Sequence, residues 1–188
     1  VEDGARKDFK GESLITSAIL NVSSDKQNRI YFLKGHGEMS VKSANGARGL
    51  SEYAAALASH NYKVEELDLS EVKDIPEDAD MIIVAGAKSA FLPREIDAIR
   101  KYLLKDNGRG IVFLEMGSLL GLEDVFYEWG IMSDDMLVLD SGGDYESASG
   151  DLIARSFPRN PHPIVKYLID SDTPVQFGSV RPVRPDMG

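Results

Sequence analysis

Four consecutive residues, Gly35-His36-Gly37-Glu38, hold the sharpest local chemistry in this 188-residue sequence. Histidine is the side chain suited to proton transfer near neutral pH, and a nearby carboxylate can orient its ring. Two glycines permit positive φ and close backbone approach, so a tight turn could project His36 and Glu38 together. The plainer reading is that the glycines only satisfy the turn, while Glu38 caps it and His36 hydrogen-bonds backbone. One His and one Glu fall short of the three or four ligands a metal ion wants, so no metal site is expected.

Two serines sit where nucleophiles could stand. Ser89 ends Gly86-Ala87-Lys88-Ser89, and Ser118 lies in Met116-Gly117-Ser118-Leu119. Neither has the Gly-x-Ser-x-Gly frame of a nucleophile elbow. A Ser-Lys arrangement is disfavoured because the adjacent side chains of Lys88 and Ser89 point apart. The sequence contains no cysteine, which removes disulfides, thiolate zinc sites and cysteine nucleophiles together. The loop Asp140 to Asp151 offers Asp140, Asp144, Glu146 and Asp151, but Tyr145 stands at its sixth position and Gly142 at its third. It is therefore not an EF-hand loop, and a solvated surface loop is expected. Pro161-His162-Pro163 reads as a rigid lead-in to a helix, with His162 available as an N-terminal contact. No catalytic residue is assigned and no cofactor is expected.

The elements that must position these residues follow from periodicity. Leu14, Ile15, Ala18, Ile19 and Val22 recur at helical spacing after a polar start. Arg29 to Lys34 reads as the first sheet strand. A helix follows, with Leu50, Tyr53, Ala54, Leu57 and Ala58 on one face. Tyr62 to Leu69 alternates as a second strand, and Asp80 to Ala85 is a near-continuous apolar strand, as in a parallel sheet covered on both faces. Pro93 opens a helix with Ile96, Ile99 and Leu103 facing inward. Ile111 to Leu114 is a further strand, and a shorter helix carries Val125, Phe126 and Trp129. Weaker strand patterns cover Met136 to Leu139, Leu152 to Phe157 and Pro174 to Gly178, with a short helix from His162 to Ile169. The proline-rich tail from Arg181 cannot be a central strand.

Alternating strands and helices with short connections predict an α/β fold, a three-layer, doubly wound and mainly parallel sheet. Residues 1–11 are expected to be a disordered stretch or linker, and residues 12–188 a single α/β domain. Ligands of such sheets bind beyond the carboxyl ends of the strands, where strand order reverses. With flavodoxin-like order, the turns at Gly35, Gly86 and Glu115 emerge along one edge. His36, Glu38, Ser89 and Glu115 are the candidate ligand-binding residues.

A net charge of -10 opposes nucleic-acid binding, which rests on clustered Lys and Arg. It equally opposes docking on anionic lipid. No apolar stretch reaches membrane-spanning length. The sequence starts at Val1 without a leader, so membrane attachment is expected only through segments outside it.

The residues resemble a known family. Gly11-Glu12 followed by Ile15-Thr16-Ser17-Ala18-Ile19 is one marker. Ile30 to Leu33 running into Gly35-His36-Gly37-Glu38 is the strongest. Asp80 to Gly86 leading to a helix with Glu95, and His162-Pro163-Ile164, complete the set. Together they resemble the auxiliary, gliding-motility-type domain of uncharacterised ABC-type transport systems, from Glu12 onward. The resemblance implies a bacterial, periplasmic location, tethering by flanking membrane helices, and ABC permease and ATPase subunits as partners. It also implies a fold similar to the class I glutamine amidotransferase-like arrangement. Those enzymes place a Cys after a central strand, where this sequence has Glu115-Met116-Gly117. The expectation is thus a non-catalytic accessory domain that binds a partner subunit, a small polar solute or a glycan. A hydrolase using the His36/Glu38 turn on carbohydrate or peptide, and a purely structural spacer, are the alternatives.

Overall fold

Strand β1 (Asn28–Lys34) buries four consecutive residues, Ile30, Tyr31, Phe32 and Leu33. Neighbouring residues of a strand point to opposite faces, so the strand is covered on both. It pairs in parallel with β2 (Tyr62–Asp68) on one edge and with β3 (Met81–Ala85) on the other. β4 (Gly110–Phe113) adds in parallel beyond β3, giving the order β2-β1-β3-β4. The computed structural model describes residues 15, 19, 27–105, 107–138, 151–158, 160–178 and 180–187. The polar stretch 1–11 and most of the acidic loop from Asp140 lie outside the described residues. Of the helical pattern from Leu14 to Val22, only Ile15 and Ile19 are described, both in helical conformation and exposed.

The chain divides into two compact units, Val1–Phe113 and Leu114–Gly188. In the first, α1 (Ser51–Ser59) connects β1 to β2, and α2 (Pro93–Leu103) connects β3 to β4. These crossovers run in opposite directions across the sheet, so right-handed connection puts the helices on opposite faces. Packing agrees. Ile30, Phe32, Ile83 and Ala85 form a core with Leu50, Ala54 and Leu57 of the α1 region. Tyr31, Leu33, Ile82 and Val84 are buried on the other face, and α2 buries Ala98, Ile99 and Tyr102. A Cβ on Gly110 would lie 3.2 Å from Leu103 Cδ2 and 3.7 Å from Ile82 Cγ1, so α2 ends close against β3 and β4.

Helix α2 begins where the sequence predicts. Pro93 fixes a helical φ at the first position, and Arg100 and Lys101 complement the dipole in the last turn. The inward stripe differs from the one read from periodicity, however. Ile96 and Leu103 are only partly buried, whereas Glu95 is 2% exposed.

The second unit holds α3 (Glu123–Glu128), β5 (Ile131–Ser133), β6 (Leu152–Ala154), α4 (Pro163–Asp170), β7 (Val175–Phe177) and β8 (Val183–Pro185). Its strands form two antiparallel ribbons, β5 with β8 and β6 with β7. The strand read at Met136 to Leu139 is not one over Met136–Val138; it lies earlier, at β5. Left-handed Gly130 (φ 69) ends α3, and the proline-flanked tail supplies the partner strand. With a single partner, β8 respects the bar on proline in central strands. His162 caps α4 as its sequence context suggests, its Nδ1 accepting from the Ile164 N–H at 3.3 Å. Arg181, 4% exposed in its side chain, donates to the carbonyls of Ser118, Ser133, Asp134 and Glu115. Among the described residues no helix is long and apolar enough to cross a membrane.

The connection after β1 is pinned to β2 by charge. Ser40 Oγ donates to Glu66 at 2.7 Å, and Lys42 Nζ lies 3.0 Å from the other carboxylate oxygen. The Ser40 hydroxyl holds the Glu66 carboxyl below the ordinary glutamate range; burial opposes this and Lys42 reinforces it. A folded-state value below the unfolded one gives stability that is complete above the unfolded value of about 4.3 and is lost as pH falls through the folded one. Urea unfolding between about pH 6 and about pH 3 should therefore show a shallower acid loss of stability in Glu66→Gln than in the parent. Parallel profiles would refute this role for Glu66.

Candidate functional site

Parallel pairing of β1 with β3 brings the two following loops together at the carboxyl edge of the sheet. Gly35 and Gly37 both take positive φ, 116° and 81°, so the turn needs glycine at both positions. Lys88 N–H donates to the His36 carbonyl at 2.8 Å, and Ser89 N–H does so at 3.2 Å. Met39 N–H donates to the Ala85 carbonyl at 2.8 Å. Arg48 bridges the loops from the side, donating to the carbonyls of Gly37 at 2.8 Å and Gly86 at 3.1 Å. A Cβ on Gly37 would stand 3.2 Å from Lys88 Cβ, which shows how closely the loops approach.

Between them, the His36 ring lies among two carboxylates and an aromatic ring. Its Nε2 is 3.0 Å from Glu95 Oε2, and its Nδ1 is 3.6 Å from Glu38 Oε1. Phe91 stacks on it with ring centroids 4.2 Å apart and planes tilted by 36°. The His36 side chain is 11% exposed, and those of Glu38 and Glu95 are each 1% exposed. A carboxylate accepts, so Nε2–H donates to Glu95. Glu95 stands at the third position of α2 and turns back to accept the Leu92 N–H at 2.8 Å, capping the helix through the same oxygen. Glu38 folds back onto its own turn, where Oε2 accepts the His36 N–H at 2.7 Å. His36 Nδ1 and Glu38 Oε1 face each other beyond hydrogen-bond distance, both buried and without a hydrogen-bond partner.

The structure thus joins both readings of the Gly-His-Gly-Glu turn. Glu38 does cap the turn, and the His36 backbone carbonyl receives three bonds, the third from Ser89 Oγ at 3.4 Å. The His36 ring, however, bonds a side chain from a helix 59 positions on rather than backbone. Three of the four candidates, His36, Glu38 and Ser89, lie in one loop cluster of the first unit. Ser89 is exposed, and Glu115 belongs to the second unit, partly buried, its carbonyl 3.5 Å from Arg181 Nη1. The residue that reading the sequence for site residues missed is Glu95. Its signal was present: Glu95, Ile99 and Tyr102 share one helical stripe, and a Glu two residues after an initial Pro is in capping position. Within the first unit, cavities of about 540 Å³ and about 580 Å³ are lined by other residues, among them Tyr102 and Arg109 in the first and Ala54 and Glu66 in the second.

Comparison with known proteins gives a family and a fold. A family described as "ABC-type uncharacterized transport system" matches residues 27–177, and the chain belongs to it. Among solved structures, the mmIFT52 N-terminal domain is similar, with a TM-score of 0.62 and 17% identity over 83% of this chain and 68% of that one. At that identity the likeness is one of fold. No curated protein matches.

Removing one partner of a buried hydrogen bond leaves the other unsatisfied, typically at a cost of about 1–3 kcal/mol. His36→Ala and Glu95→Ala should each lower unfolding free energy by about that much, and the double variant by clearly less than the sum of the two. Denaturant unfolding of all four proteins checks this; strict additivity would show that the 3.0 Å contact carries no coupling.

Proposed function

From membership in that family, we propose that the chain is a non-catalytic accessory domain of a membrane ABC-type transport system, binding a partner subunit or a solute at the reversal point of its sheet. The observation that carries this reading is the disposition of His36. One ring nitrogen donates to Glu95 and the other is shut from solvent opposite Glu38. A general base must reach the proton it removes, and this ring is committed to holding the turn against α2. His36 and Glu38 then shape the loop edge, where exposed Ser89 is proposed to meet a small polar solute or a glycan; Glu115 is a separate ligand candidate in the second unit.

The strand order β2-β1-β3-β4 agrees with the first four strands of the flavodoxin-like order, reversing between β1 and β3. It supports a flavodoxin-like or class I glutamine amidotransferase-like arrangement, in which the absence of cysteine removes amidotransferase chemistry. The domain works, on this reading, on the periplasmic side of a bacterial inner membrane, as part of a gliding-motility-like system. Helices outside this chain anchor it beside the permease and ATPase subunits.

Affinity purification of the full-length protein from membranes of its own host should bring down a permease and an ATPase subunit. Purified protein should show no turnover on panels of glycosides and peptides. Absence of both subunits from the eluate would sink the transport reading. Hydrolysis that disappears in His36→Ala, with circular dichroism unchanged, would sink the non-catalytic one.

A further inference from the structure

The second unit contains a ribbon whose apolar side faces water. In β5 and β8, Ile131 pairs with Pro185 and Ser133 with Val183, so Ile131, Val183 and Pro185 share one face with Ser133, whose hydroxyl is buried. The Asp186 N–H donates to the Gly130 carbonyl at 2.8 Å, which holds the end of the tail beside the close of α3. Val183 on the strand face is 61% exposed, and at that end of the ribbon Trp129 is 53% and Met187 87% exposed. A half-covered antiparallel pair normally turns its apolar side to a core. Exposed Trp and Met gathered on one surface are the composition of an interaction site.

The charge around this surface says what would cover it. The sequence from Leu114 to Gly188 holds thirteen Asp and Glu against five Lys and Arg, and so carries most of the chain's net -10. Along the sequence that builds and adjoins the ribbon, Glu123, Asp124, Glu128, Asp134, Asp135 and Asp186 stand against Arg181 and Arg184. Arg184 pairs with Asp134 at 3.1 Å and Arg181 lies 3.7 Å from Asp135, so acidic groups stay in excess there. Like charge opposes both a second copy of this chain and an anionic lipid surface.

We infer that the outward face of the β5–β8 ribbon docks a protein partner presenting apolar side chains within a rim of Lys and Arg. The inference rests on the accessory-domain reading above, but assigns the protein partner to the ribbon of the second unit and leaves the reversal point of the sheet to a solute. Hydrophobic burial supplies the affinity, and the acidic rim supplies orientation and rate of encounter.

The test is site-specific photo-crosslinking in the full-length protein in its own host, with benzoylphenylalanine at Val183 or Met187 and, as a control, at equally exposed Ile164 of α4. Adducts are expected from the first two positions alone, mapping to a peptide with apolar residues flanked by Lys or Arg. Asp124→Lys, with unchanged melting temperature, should reduce the adduct several-fold. So should raising salt from about 0.1 M to about 1 M in isolated membranes, which shortens the screening length from about 10 Å to about 3 Å. An adduct with a transporter subunit supports both the surface and the transport reading. One with another protein of the same contact chemistry supports the surface and overturns the transport assignment. Adducts with a second copy, lipid or an acidic peptide, or none above the Ile164 control, overturn the inference.

Discussion

Strand β1 is hydrogen-bonded on both edges and covered on both faces, and the first unit is organised by that constraint. A strand so enclosed cannot expose a polar side chain along its centre, which is why Ile30 to Leu33 are all apolar or aromatic. Its polar residues collect at the ends. At the amino end, Arg29 N–H bonds the Asp80 carboxylate at 2.8 Å. At the carboxyl end the chain must leave sharply, and Gly35 and Gly37 let it do so. Parallel addition of β3 then forces a second loop into the same space, so the His36 carbonyl receives the N–H groups of Lys88 and Ser89. At the edge where such sheets bind ligands, the two loops are therefore joined through their own backbone, with Ser89 left exposed.

The buried His36, Glu38 and Glu95 follow from the same crowding. Buried hydrogen-bonded groups add modest net stability, but leaving one of them unpaired is costly. A single Glu95 oxygen caps α2 and accepts from His36, so the start of the helix and the first loop are fixed by one side chain. Phe91 stacked on the ring excludes water and strengthens the contact. Register between loop and helix is the physical product of this cluster, whatever binds outside it.

Much of this frame was legible in the sequence, because long elements repeat their pattern. Four parallel strands and α2 declare themselves through apolar runs, Pro93 and the glycine turns, to within one or two residues. In the second unit β6 and β7 fall within the patterns at Leu152 to Phe157 and Pro174 to Gly178, whereas β5 and β8 do not declare themselves, since no period can be read over three positions. β5 follows from Gly130 ending a helix, and β8 from pairing with a segment 50 residues away, which no local pattern contains. The site was half legible. The proximity of the Gly35 and Gly86 turns followed from an assumed strand order, which the sheet realises. Glu95 did not emerge as a site residue because a charged residue on an inward stripe is read as outward until its partner is known. Arg181 was hidden similarly: within a proline-rich tail it reads as solvated, yet four carbonyls surround its guanidinium.

The two halves of the sequence satisfy their polar and apolar groups to different degrees, and that difference bears on where a partner would act. In the first unit, His36 and Glu38 are engaged within the fold while Ser89 stays exposed, and the sheet's core residues are buried to a few per cent. In the second, a guanidinium of large hydrogen-bonding capacity is enclosed, while Trp129, Val183 and Met187 stay in water. Two strands of three residues make too small a ribbon to be stable alone. The Arg181 clamp, together with the Arg184–Asp134 pair, supplies what the strands lack, holding the ribbon in shape without covering its face. An apolar surface whose strands are already paired asks less ordering of itself when a partner associates. The reactive-looking turn at Gly35 is thus the structural part of this protein, and the short, pattern-poor ribbon is the part with unsatisfied surface.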